Sequence, residues 1–153
     1  KIIKSINNGI NLGRGYNFVT RVRDINNNEY LVPQFIDDKK GLKIGDEILV
    51  KIRFKAMDDF EFLVLEDFLP AGFEVINKNV YDDYQPYAHS ERWDNRMVFF
   101  FTKINRNDVY EIAYTMRAEL PGEFLAKPAR MECMYEPDIQ GWSQPAKFTV
   151  RKK

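Results

Sequence analysis

Glu47–Ala56 reads EILVKIRFKA, the clearest alternation in the chain: Ile48, Val50, Ile52, Phe54 and Ala56 fall on one side, Lys51, Arg53 and Lys55 on the other. A period of two that sets apolar against cationic positions describes a strand with one face on a core and one in water. Val109–Ala118 repeats it, with Tyr110, Ile112, Tyr114, Met116 and Ala118 opposed by Glu111, Thr115 and Arg117, and predicts a second half-buried strand. Arg96–Ile104 is apolar on both sides in its middle, Met97, Phe99 and Phe101 against Val98 and Phe100. That predicts a strand covered on both faces and placed centrally in its sheet.

Working outward, strands are also expected over Tyr16–Arg23, Glu29–Phe35, Phe60–Glu66, Phe73–Ile76, Glu123–Leu125, Arg130–Tyr135 and Lys147–Arg151. Turn chemistry separates them: Asn26-Asn27-Asn28, Lys40-Gly41, Gly45-Asp46, Asp58-Asp59, Pro70-Ala71-Gly72, Asn105-Arg106-Asn107-Asp108 and Pro121-Gly122. No helical stripe competes, although Tyr81–Trp93 has room for one short turn of helix. Eight or nine short strands with regular turns predict an all-β fold, an immunoglobulin-like antiparallel β-sandwich, as one domain. Residues 1–43 are expected to supply its first strands or a linker into it, and residues 44–153 its body.

Composition excludes several classes. The chain has 153 residues, 44% hydrophobic and 14% aromatic, enough for a core of its own. Lys plus Arg and Asp plus Glu each number 23, so no net field draws nucleic acid or an anionic membrane. The longest apolar run, Met97–Phe101, is far short of the roughly 18 residues of a membrane helix, and no direct membrane insertion is expected. Cys133 is the only cysteine, so no intrachain disulfide forms, and a small buried hydrophobe is its expected role. The chain opens at Lys1 without a basic-then-apolar leader, as expected of a mature or excised domain.

The long connection from Asn77 to Asn95 holds the densest polar and aromatic mixture. Asp82, Asp83, Glu91, Asp94 and His89 are oxygen and nitrogen donors, but no glycine lets the loop wrap a cation, so neither a metal nor a cofactor is expected. Tyr84, Tyr87 and Trp93, with Trp142 further on, are candidates for an aromatic contact surface for a sugar ring or a partner chain; the alternative is that half of these aromatics plug the open end of the sandwich. A hydrolytic site would need His89 beside Ser90, Ser143 or Cys133, and no motif supports one, so the chain is not expected to be an enzyme.

Arg117–Glu136, RAELPGEFLAKPARMECMYE, interrupts the alternation with placed prolines. Pro128 falls where only an edge, a bulge or a strand end tolerates it, and the run closes on the exposed-looking pair Met134-Tyr135 before Pro137. Taken with Gly45-Asp46, with LEDFLPAGFE over 65–74, with KPARMECMYEP over 127–137 and with Gly141-Trp142-Ser143, this segment resembles the C-terminal macroglobulin domain of bacterial alpha-2-macroglobulin-like proteins.

The resemblance implies a noncatalytic immunoglobulin-like domain of a large protease trap, periplasmic or at the cell surface. Its partners would be other domains of the parent, a thioester domain above all, and target proteases through the parent. In thioester-bearing members a tyrosine of this domain is implicated in shielding that bond, and Tyr135, with Met134 beside it, is the position that corresponds. The residues alone also allow Tyr135 to be an ordinary strand-end aromatic. Cys133-Met134-Tyr135-Glu136 departs from the Cys-x-Glu-Gln pattern a thioester needs, so a reactive bond would lie elsewhere in the parent. The other reading is a stand-alone carbohydrate- or protein-binding module built on the aromatic loop.

Overall fold

The computed structural model describes residues 7–81 and 83–152; the loop carboxylate Asp82 and the first part of the 1–43 segment lie outside the described residues. The strands are β1 (Asn7–Asn8), β2 (Ile10–Arg23), β3 (Glu29–Gln34), β4 (Leu42–Lys43), β5 (Glu47–Ala56), β6 (Phe60–Phe68), β7 (Phe73–Asn77), β8 (His89–Trp93), β9 (Arg96–Ile104), β10 (Val109–Ala118), β11 (Gly122–Ala126), β12 (Arg130–Cys133), β13 (Glu136–Trp142) and β14 (Ala146–Arg151). Three sheets run in the orders β1-β13-β12-β6-β9-β8, β3-β2-β5-β10-β7 and β11-β14-β4. Among the described residues the only parallel ladder is the short β14–β4 pair, beside two isolated parallel bridges. This is the all-β, immunoglobulin-like antiparallel sandwich expected from the sequence. Among the described residues no helix is long and apolar enough to cross a membrane.

The strictest alternation makes the centre. β5 and β10 pair in one register, Ile112 opposite Ile52 and Tyr114 opposite Val50. Their apolar rows face Leu63, Leu65, Met97, Phe99 and Phe101 of the six-stranded sheet, all at most 2% exposed. The sheets close tightly where β13 meets β2: a Cβ on Gly141 would sit 2.4 Å from the Ile10 carbonyl oxygen, so only glycine fits.

β5, β9 and β10 have the expected limits, and three expectations need correction. More than eight or nine strands form. The additions include β8, in place of the helical turn allowed in Tyr81–Trp93, and β13; β8 is polar on both faces and β13 carries Pro137 and Gly141, so neither shows a clean period. β9 is not central but lies next to the edge strand β8. β10 is not half-buried in its middle: Ala113 packs with Val19 and Leu49, and Val80 and Tyr81 of the 77–88 connection lie against them.

A buried charged cluster ties the sheets together. Arg14, on the inward row of β2, places Nη1 2.6 Å from Asp67 Oδ1 on the inward row of β6, both side chains fully buried. The Tyr114 hydroxyl donates to the other carboxylate oxygen at 2.5 Å. Arg14 also donates to the carbonyls of Lys127 at 2.8 Å and Gln144 at 3.1 Å, in the two crossovers that carry the chain between the six-stranded and three-stranded sheets. Burial pushes the Asp67 carboxyl upward while the Arg14 charge and the Tyr114 hydroxyl pull against it. Burial and then the Asp67 charge hold the Tyr114 phenol well above its usual range, so it keeps the proton it donates.

Removing one partner from such a pair leaves an uncompensated buried charge. Asp67→Ala is expected to lower stability in urea unfolding by about 3–5 kcal/mol, and the double change Arg14→Met with Asp67→Leu to recover most of that loss.

Candidate interaction site

β12 and β13 are joined by two residues, Met134 and Tyr135, with Cys133 opposite Glu136. The pair expected to end a strand is therefore a hairpin tip, and its side chains are 49% and 78% exposed. Pro137 lies where the β12–β13 register shifts, Glu132 facing Gln140 while Cys133 faces Glu136, so no ladder bond is asked of its missing N–H. Pro128 lies in the β11–β12 crossover.

The tip rests on Phe62. The Met134 N–H donates to the Phe62 carbonyl at 2.8 Å, and the two rings of Phe62 and Tyr135 meet edge to face with centroids 5.7 Å apart. Phe62 has φ 55, in the left-handed region that a bulky aromatic rarely occupies. The cause lies in β6 itself. Phe60 packs against the core and Leu63 is fully buried, yet they are three apart, an odd spacing that a regular strand cannot point to one side. The flip at Phe62 reconciles them and leaves Glu61 and Phe62 both exposed. Beside the tip runs a groove of about 330 Å³ lined by Asp59, Phe60, Glu61, Phe62, Cys133, Tyr135 and Glu136.

Cys133 is 3% exposed, and burial, helped by the Glu136 and Glu132 carboxylates, pushes its thiol up to about 11. It is a core residue with no activating base. His89 sits on the other face of the six-stranded sheet from the buried Cys133, its ring stacked on Phe100 and its Nε2 3.1 Å from Glu91 Oε2. Ser143 is buried, with its Oγ accepting the Ala129 N–H at 2.8 Å, a clasp between the two crossovers. Among the described residues no three His, Cys, Asp or Glu side chains converge as metal ligands.

The four aromatics expected to share a surface are split. Tyr87 is 6% exposed and packs on Phe99 and Phe101, plugging the core, so it offers no contact area. Tyr84 lies edge-on to Tyr81, whose phenol, pushed up to about 12 by burial and by the bond it donates to Glu111, is anchored on the opposite sheet. Trp93 and Trp142 do share the outer face of the six-stranded sheet, linked by charged residues that sequence reasoning passed over. Arg96 lies 4.3 Å from the Trp93 ring centroid, Arg130 lies 5.5 Å from that of Trp142, and Glu66 bridges the two arginines at 2.9 and 3.2 Å. Each indole has one face taken by a guanidinium, so the row is satisfied within itself.

Residues 17–138 match the family described as Bacterial Alpha-2-macroglobulin MG10 domain. Alpha-2-macroglobulin of Xylella fastidiosa (strain 9a5c) is 26% identical over 127 residues, covering 71% of this chain and 8% of that protein. Circularly permutated Ras protein 2 of Dictyostelium discoideum is 29% identical over 101 residues, covering 65% of this chain and 2% of that protein. The native conformation of E. coli alpha-2-macroglobulin superposes with a TM-score of 0.76 at 20% identity, covering 99% of this chain and 10% of that one. The chain thus spans a tenth or less of these relatives.

A thiol near 11 is about 0.1% ionised at pH 8, against roughly a quarter for an ordinary cysteine. Iodoacetamide is expected to alkylate native Cys133 more than ~200-fold slower than a free cysteine, with the ordinary rate restored in urea; a native rate equal to that of the free amino acid would contradict the assignment.

Proposed function

The chain belongs to the MG10 domain family of bacterial alpha-2-macroglobulins, and on that footing we propose that it is a noncatalytic contact domain of a longer protease-inhibiting polypeptide. In this reading the Met134-Tyr135 tip packs against the thioester domain and keeps water from its reactive bond, in the periplasm or at the cell surface.

One observation carries the reading: the Tyr135 ring, exposed at the hairpin tip, is not loose but clamped, with the Met134 amide on the Phe62 carbonyl and its own ring against that of Phe62, a residue held in a strained conformation. Strain of about 1–3 kcal/mol persists where the surroundings over-determine it, and such sites concentrate where a protein touches something. Shielding needs an aromatic body that excludes water and a hydroxyl that fixes its position, and Tyr135 supplies both. Support also comes from the relatives themselves, since E. coli alpha-2-macroglobulin has been solved after activation by trypsin and by porcine elastase, and the Salmonella protein after reaction with methylamine. The carbohydrate reading is not favoured, because Trp142 is only half-exposed and both it and the exposed Trp93 already carry a guanidinium, from Arg130 and Arg96, on one face.

The test is thioester lifetime in the longer polypeptide. Tyr135→Ala, and more so Tyr135→Ala with Met134→Ala, is expected to speed release of the thioester thiol by roughly tenfold, about 1.4 kcal/mol of lost protection, with Tyr135→Phe falling between. Equal rates in all four proteins would sink the shielding role.

A further inference from the structure

A second exposed apolar surface lies at the opposite end of the sandwich from the tip. β2 pairs with β5 only as far as Val19, while β3 pairs with β2 from Phe18 to Arg23. Residues 20–33 therefore project as a two-stranded arm beyond the five-stranded sheet. The arm has two unlike faces. One holds Arg21, Arg23 and Glu29, with Arg21 bridging to Glu29 at 2.5 Å and back to Glu47 of β5 at 2.7 Å. The other holds Val22, Tyr30 and Val32, which are 46%, 52% and 39% exposed, with Ile25 fully exposed at the arm's turn and Phe35 96% exposed at its base. At that base, Phe18, Phe35, Ile36 and Leu42 line part of a groove of about 270 Å³.

The arm is also built to be rigid. Asp24 Oδ1 accepts the N–H groups of Asn26 and Asn28 at 2.8 and 2.9 Å, and its Oδ2 accepts the Tyr30 hydroxyl at 2.9 Å. These bonds, the Asn28 amide foremost, hold the Asp24 carboxyl below its usual range. A two-stranded ribbon is marginal in water, and a fixed ribbon with one bare apolar face marks a docking surface.

We propose that this face docks against a neighbouring domain of the same polypeptide, on an apolar surface of that domain. The inference rests on the reading that the chain is one domain of a longer macroglobulin. Area selects the occupant. Five side chains of this size and exposure offer on the order of 500 Å² on this side, roughly 1,000 Å² counted over both partners, which lies within the range of interfaces between tethered domains and below the ~1,600 Å² total of stable free-standing complexes. Tethering supplies the effective concentration that a contact of this size lacks by itself. No charge interrupts the stripe along the arm, since Asp24 is consumed in the turn and Arg21 and Arg23 face the other way, so the complement there is apolar; charged side chains, Asp37, Lys40, Lys43, Asp46 and Arg151, enter only at the groove by the base.

Hydrogen exchange read by mass spectrometry tests it, comparing the 153-residue chain with the longer polypeptide. Peptides spanning Arg21–Val32 are expected to exchange about tenfold slower in the longer polypeptide, and Val22→Asp with Val32→Asp is expected to abolish that difference while peptides from β10 stay unchanged. Equal arm exchange in both proteins, or slow exchange that the double substitution leaves intact, would overturn the inference. So would a dimer of the isolated chain in sedimentation, lost on the same substitution, which would give the face to a second copy. A gene that encodes no further domain removes the domain reading along with the docking; further domains beside an unprotected arm remove the docking alone.

Discussion

The Arg14–Asp67 pair is the constraint around which the sandwich is arranged. Two sheets packed by apolar rows alone can slide, because the hydrophobic effect has no direction. A guanidinium with fixed donor geometry cannot, and here it bonds a carboxylate of the facing sheet and two crossover carbonyls at once. Desolvating the two charges costs several kcal/mol each, and their attraction offsets this only when the remaining donors and acceptors are filled. Tyr114, Lys127 and Gln144 fill most of them. The cluster therefore adds little net stability and much registration: β2, β6, β10 and both sheet-switching segments are held relative to one point.

That registration reaches the tip through β6. Asp67 holds the end of the strand nearest Phe68, and the rows Leu63, Leu65 and Asp67 then all point inward. With this parity set, Phe60 can reach the core only if the strand breaks phase between them, and the break falls on Phe62. The flipped backbone turns the Phe62 carbonyl to the Met134 amide and its ring to Tyr135. A strained residue on the surface is thus the local consequence of two demands made by the core, and the hairpin inherits its position from them.

How much of this could be read from the residues follows from what each period conceals. β5, β9 and β10 were legible because large apolar side chains recur every second position over nine or ten residues. β2 was legible only from Tyr16, because Gly13 and Gly15 empty its outward row and Arg14 interrupts its inward one; a cation on an apolar row, matched by Asp67 on another, was the available sign of the buried pair. Phe62 hid inside FEF, which scans as ordinary alternation, although its parity conflicts with Leu63 and Leu65. Tyr87 and Tyr84 sit in a connection without any period, where nothing in the chain distinguishes a core plug from a surface ring. The Met134-Tyr135 pair was legible as exposed but not as a turn, since neither residue is typical turn chemistry.

The exposed groups also differ in kind, and the difference assigns them work. Trp93, Arg96, Glu66, Arg130 and Trp142 answer one another across the outer face of the six-stranded sheet, so that face asks nothing of a partner. The tip and the arm do ask, and they lie at opposite ends of β5: Asp59 beside the tip follows the end of that strand at Ala56, whereas the arm departs where Val19 faces its start at Glu47. Ten residues of strand separate them, roughly 30 Å. Between the two surfaces stands the ion-paired core, whose Arg14 ties both sheets and both crossovers together. A body with a stiff middle and an exposed apolar surface at each end would set the distance between two neighbours that met those surfaces.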